Sequence, residues 1–178
     1  MIKITENFLP DNTFKDIHDK IFGENFTWSL AHDVVSKRPE WGSTCEDIYN
    51  WQLIHNFYES PATLSEAINV MNPIMKIINP KLLIRIKGNL TPRADKIVEH
   101  GFHRDVEPPI PGATTSILYL NTNNGYTKFQ DGTKVPSVAN TFVSFSSDMK
   151  HTGTTCTDIK FRGLINFNYI NVKENADT

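Results

Sequence analysis

Cysteine is scarce in this chain: only Cys45 and Cys156 occur, far apart and outside any CxxC pair. That excludes a disulfide framework and a zinc ribbon, and two lone thiols fit a reducing, cytoplasmic setting. No apolar run approaches the ~20 residues that span a bilayer. The opening MIKITENFLPDNTF lacks the basic, then apolar, then small-residue layout of a secretory leader. A membrane location is therefore not expected. Neither charge dominates: the net charge of −2 and a pI near 6.3 supply no basic field, which argues against nucleic acid as a partner. There is no repeat and no Pro/Ser-rich linker, so the 178 residues are expected to form one domain with its own core.

What is present changes texture near residue 80. Before it, TFKDIHDKIF places Phe14, Ile17, Ile21 and Phe22 at helical spacing, behind Asp11 and Asn12 as candidate caps. SPATLSEAINVMNPIMKIIN predicts a second helix with a stripe of Leu64, Ile68, Met71 and Met75, interrupted or kinked at Pro73. Trp28, Trp41 and Trp51 are expected to be packing residues, and the polar, poorly periodic segment 31–51 suits a lid over a site. After Pro80, KLLIRIKGNL, TTSILYLNTN, GYTKF, NTFVSFSS and KFRGLINFNYINV are rich in β-branched and aromatic residues and are separated by turn formers. NTNNG (121–125) and DGTKVP (131–136) are turn signals. This density of strands predicts a mainly β protein with some α: an antiparallel sandwich or jelly roll over 81–172. Residues 1–80 would supply helical and loop support on its outside, and 173–178 a frayed tail.

The chemistry-bearing residues begin in VEHGFHRDVEPP. On an extended strand, residues two apart point to the same side, so His103 and Asp105 project together while Arg104 points away. An imidazole and a carboxylate so placed are two of the three protein ligands of a 2-His-1-carboxylate iron site. His100, three residues before His103, falls off that face and is expected at the rim. His18, His32 and His55 lie in the N-terminal part, whereas His151 follows the strand NTFVSFSS directly, a suitable place to present a third ligand. Eleven residues later, Arg162 shares a strand face with Leu164 and Asn166. A cation facing a sandwich interior is costly unless it meets an anion, and the guanidinium fork suits a carboxylate. Lys160 has the same parity and is the alternative anchor.

With these residues in place the chain resembles the Fe(II)- and 2-oxoglutarate-dependent oxygenases, in particular the prolyl-4-hydroxylase-like group and its small phage-encoded members. The resemblance runs from about Leu83 to Tyr169 through HGFHRD, TTSILYLN, NGYTKF, ANTFVSFSSDMKHTG and FRGLINFNY. It implies a double-stranded β-helix (jelly-roll) core. It also implies that His103, Asp105 and His151 bind iron and that Arg162 holds the far carboxylate of 2-oxoglutarate. Tyr119 matches a tyrosine that contacts that carboxylate, with Thr115 and Ile117 on its face, and Thr127 matches the threonine of a glycine-rich turn. Where many relatives carry a tyrosine before the H-x-D motif, this chain has Asn89 and Thr91, which leaves Asn89 as the candidate cosubstrate contact there. The implied activity is a dioxygenase (hydroxylase) using Fe(II), 2-oxoglutarate and O2, with ascorbate as an optional reductant. Its substrate would be a protein or peptide, prolyl side chains included, or a small molecule, with succinate and CO2 as coproducts. For a phage-encoded member the setting would be the host cytoplasm. The rival readings are a noncatalytic jelly-roll binding module and a metal-dependent isomerase or hydrolase.

Overall fold

The computed structural model describes residues 1–35 and 45–171. Residues 36–44, which hold Trp41 and the middle of the proposed lid, lie outside the described residues, as does the expected tail. A large antiparallel sheet forms the centre. Its strands are β1 (Lys3–Thr5), β2 (Ser29–Ala31), β3 (Gln52–Glu59), β4 (Thr63–Leu64), β5 (Leu82–Pro92), β6 (Ala113–Tyr119), β9 (Phe142–Ser146) and β11 (Phe161–Ile170). They run in the order β1-β9-β6-β11-β5-β3-β2, with β4 paired to β3. A smaller antiparallel sheet, β10-β7-β8, is made of β7 (Tyr126–Phe129), β8 (Lys134–Pro136) and β10 (His151–Gly153). Residues 98–103 extend it alongside β10 through the Glu99–Thr154 and His103–His151 bridges.

Two helices, α1 (Asp11–Ile21) and α2 (Asn72–Ile78), cover one face of the large sheet. Ile17, Ile21 and Ile74 pack there with Leu118, Ile165, Phe167 and Tyr169. On the opposite face Ile117, Tyr119 and Leu164 meet Phe129 and Val135 of the small sheet. The large sheet is therefore buried on both faces, and eight of the ten β11 residues, Arg162 to Tyr169, are buried. Alternation along β6 and β11 assigns successive residues to the helix layer and to the inter-sheet layer.

The five strands expected after residue 80 are all present, and the jelly roll is the architecture observed. The N-terminal part departs from expectation. It contributes four strands to the large sheet as well as helices, and β3 pairs with β5 over residues 53–59. The single helix expected over residues 60–79 is instead β4, then a 3₁₀ turn over Glu66–Met71, then α2. Ser65 caps the 3₁₀ turn by accepting from the Ala67 N–H. Pro73 sits in the first turn of α2, where its missing N–H costs nothing, so it starts that helix rather than kinking it. Leu64 is consequently exposed rather than part of a buried stripe. Trp28 packs against the helix-side core as expected, whereas Trp51 is partly exposed.

Candidate metal and cosubstrate site

The site lies between the sheets, in a pocket lined by residues from β5, β11, β10 and the 98–105 segment. His103 is fixed by reciprocal backbone hydrogen bonds with His151: each N–H donates to the other's carbonyl, at 2.9 and 3.0 Å. This bridge sets the two imidazoles side by side, their ring centroids 4.8 Å apart. Asp105, two residues on, closes the triangle. Its carboxylate lies 3.9 Å from His103 Nε2 and 3.8 Å from His151 Nε2, and the three ligand atoms are all within 4.8 Å of one another.

The donor set suits a first-row metal ion. His103 Nδ1 faces the Gly101 carbonyl at 3.1 Å and His151 Nδ1 faces that of Met149 at 3.4 Å. Each contact keeps the proton on Nδ1 and leaves the Nε2 lone pair for a ligand. Burial, reinforced by neighbouring His151, pushes the His103 imidazole down to about 4 and so holds it neutral. Burial works against ionisation of Asp105, but the fields of His151, Arg85, His103 and Lys87 outweigh it and hold that carboxyl at about 2. Arg85 Nη2 stands 3.3 Å from Asp105, and Asn166 Nδ2 donates to both of its oxygens at 3.3 and 3.2 Å. Two imidazoles and an oriented carboxylate, with room beside them, form a facial 2-His-1-carboxylate arrangement.

Arg162 occupies the other end of the cavity. It is 2% exposed, and among the described residues no carboxylate pairs with it. Its Nε donates to Ser137 Oγ at 2.7 Å and its Nη2 to Thr127 Oγ1 at 3.0 Å, and its guanidinium lies over the Tyr119 ring. Glycine makes its passage: a Cβ at Gly125 would fall 2.8 Å from Arg162 Cδ, and one at Gly153 would fall 3.3 Å from Nη1. Thr127 Oγ1 also accepts from the Tyr119 hydroxyl at 2.8 Å. With two donors on its oxygen, the Thr127 hydroxyl proton is left to point into the cavity. A buried guanidinium and a free hydroxyl proton together make a seat for a carboxylate. Lys160, the alternative anchor, is exposed on the bend before β11.

His103, Asp105, His151, Arg162 and Asn89 thus come together around one cavity. Tyr119 stands behind Thr127 and Arg162 and supports them. Thr115 is absent from the cavity lining: its hydroxyl accepts from Asn168 Nδ2 at 3.0 Å, deep between the sheets. His100 is a correction to the expected rim position. It is 1% exposed and lines the cavity, because 98–103 runs beside β10 and the His100 N–H donates to the Gly153 carbonyl. The sequence reading overlooked Arg85 and Lys87. Their signal was available in LLIRIKGNLTP, where Arg85, Lys87, Asn89 and Thr91 alternate on one face of β5.

No protein-family model matches the sequence, and neither does any curated protein. Solved structures do match in fold. A Pseudomonas putida prolyl-4-hydroxylase superposes with a TM-score of 0.56 at 17% identity, over 96% of this chain and 92% of that one. A Trichoplax adhaerens prolyl hydroxylase, solved with a hypoxia inducible factor oxygen degradation domain peptide, gives 0.61 at 16%, over 98% and 86%. A Burkholderia pseudomallei oxidoreductase of the 2OG-Fe(II) oxygenase family gives 0.63 at 11%, over 94% and 84%. The fold is that of the 2-oxoglutarate- and iron-dependent oxygenases. Prolyl hydroxylases stand among its structural relatives.

Proposed function

We propose that this protein is an Fe(II)- and 2-oxoglutarate-dependent oxygenase that hydroxylates a peptide or small-molecule substrate. The observation that carries the reading is the pairing, in one cavity, of the His103–Asp105–His151 triangle with a buried guanidinium that has no carboxylate partner among the described residues. A noncatalytic module has no need of both, and a hydrolytic metal site leaves Arg162 without a purpose.

When bound, iron and 2-oxoglutarate supply the oxidation: O2 is consumed, succinate and CO2 are released, and one oxygen atom enters a substrate C–H bond. The chain's own residues do the placing. His103 and His151 offer Nε2, and Asp105 is kept ionised and oriented by Arg85 and Asn166. Arg162 and Thr127 hold the far carboxylate of the cosubstrate, which fixes its keto-acid end toward the triad. Tyr119 and Ser137 lock the guanidinium from behind, and Leu164 and Ile117 line the cavity with apolar surface. The peptide carried by the Trichoplax relative supports a peptide substrate, and the partly open pocket is equally compatible with a small molecule.

Anaerobic addition of Fe(II) and then 2-oxoglutarate tests the reading. A chelated 2-oxo acid on a facial-triad iron gives a weak visible charge-transfer band, expected in the wild type and absent from His151→Ala. No band in the wild type, or an undiminished one in the variant, overturns the assignment.

A further inference from the structure

One cation in the cavity acts on the triad only through its field. Lys87 lines the cavity together with His103, Asp105 and Asn166, and its charge acts on both His103 and Asp105. Among the described residues its ammonium makes no hydrogen bond and no ion pair, and it lies beyond ion-pair distance of Asp105. Arg85, by contrast, is engaged by Asp105 and by Asn168, to which its Nε donates at 3.1 Å.

Charge balance shows what is missing. Arg85, Lys87 and Arg162 face a single buried acid among the described residues, Asp105; Glu59, opposite Arg85 on β3, also acts on Lys87 but is exposed to solvent. Loading with a ferrous dication and a 2-oxoglutarate dianion adds equal and opposite charge and leaves that positive excess in place. Arg162 takes one carboxylate, and the remaining cation is left for another.

Register gives its position. Arg162 stands opposite Thr91 on β5, and Lys87 stands opposite Asn166. The two positions are thus separated by four residues of strand, ~13 Å, and Asp105 of the triad lies at the Lys87 end, against Arg85 and Asn166. A cosubstrate running from the triad to Arg162 leaves Lys87 on the substrate side. Beside Lys87, opposite it on β3 and β11, are Asn56 and Asn166. The Oδ1 of each is buried without a hydrogen-bond partner among the described residues. Buried acceptors of this kind are ordinarily satisfied.

We propose that the substrate carries a carboxylate that binds the Lys87 ammonium, with N–H or O–H groups beside it donating to Asn56 and Asn166. This rests on the oxygenase reading and narrows its substrate class. Lys87 is then a specificity-determining residue, and the carboxylate belongs either to a free amino acid or to an acidic peptide.

The test uses the full chain loaded anaerobically with Fe(II) and 2-oxoglutarate. Two matched sets are titrated in: free amino acids each beside its methyl ester, and short peptides containing Asp or Glu beside their Asn or Gln counterparts. Perturbation of the charge-transfer band reports binding beside the metal, and succinate released after oxygen is admitted reports turnover. Acids are expected to perturb the band at concentrations at least tenfold below their neutral partners, and the set that responds identifies the source. Lys87→Met should raise the half-saturating acid concentration at least tenfold while the band itself still forms, and Lys87→Arg should recover most of the loss. The proposal is overturned if neutral members bind as well as acids, if Lys87→Met binds acids like the wild type, or if no acid in either set perturbs the wild-type band. A wild type with no band at all is a different result, and it overturns the oxygenase reading itself.

Discussion

Ile165, Phe167 and Tyr169 point from β11 toward α1 and α2, while Arg162, Leu164, Asn166 and Asn168 point from the same strand between the sheets. The helix-side layer is almost wholly apolar. The inter-sheet layer has an apolar cluster around Phe129, Val143 and Phe145 that reaches the cavity at Ile117 and Leu164, and beside it carries a guanidinium, amides, imidazoles and a carboxylate. Residues of both layers are buried along β11, so burial alone does not distinguish them there. What distinguishes them is hydrogen bonding: on the site side each polar group is tied to a neighbour or is positioned for a ligand. A strand can therefore devote one face to stability and the other to chemistry, and substitutions on the two faces should fail in different ways.

The largest stability effect is expected on the helix side. Phe167 is fully buried and packs against Phe142 with ring centroids 6.0 Å apart. Phe167→Ala should cost about 3–5 kcal/mol, the transfer free energy of the ring plus that of the cavity left behind. In a domain of this size that lowers the melting temperature by roughly 10 °C. Calorimetry should show the loss, while the folded fraction still forms the charge-transfer band. A variant that melts normally would mean that this layer repacks freely, against the two-face division.

On the site side a comparable free energy should appear only as a function of pH. Burial pushes the His100 imidazole down to about 4. The folded state thus favours neutral His100, and its contribution to stability is present above the unfolded value near 6.5 and is lost as pH falls toward 4. The shift corresponds to about 3 kcal/mol over that window. Urea titrations from pH 7 to 4 should show stability falling with acidity, and His100→Gln should flatten part of the slope. An identical slope in the variant would remove His100 from the account.

The strands of the second half were legible because their period-two patterns are strong and turn formers bracket them. The triad was legible for a related reason. His103 and Asp105 are two residues apart, and His151 follows a clear strand, so local spacing conveyed most of the arrangement. What local spacing could not convey was decided by pairing. QLIHNFYE shows no clean alternation because Phe57 occupies a bulge and goes to the helix-side core. His100 was misplaced because its burial comes from β10, more than fifty positions later. Leu64 fits a helical stripe in sequence, yet it pairs with Tyr58 at the end of β3. Arg85 and Lys87 were overlooked although they alternate on one face, because nothing local shows that β11 and β3 flank them and bury that face.

The smallest stability effects, and the sharpest contrast with Phe167, are expected at Arg162 and Lys160. Arg162 is buried and, among the described residues, bonded only to neutral hydroxyls, so Arg162→Met removes a desolvated charge and should leave stability unchanged or slightly higher. Cosubstrate affinity should respond quite differently. Losing charge-assisted contacts to a carboxylate costs about 3 kcal/mol, a factor of about 100 in the 2-oxoglutarate concentration that half-saturates the band. Lys160, two residues away and exposed, should do neither: Lys160→Met is expected to stay within about 0.5 kcal/mol in stability and to bind 2-oxoglutarate like the wild type. If affinity falls in Lys160→Met and survives in Arg162→Met, the anchor belongs to the bend before β11. The buried guanidinium would then need another anion, and the inter-sheet face would lose the feature that most clearly separates it from the helix side.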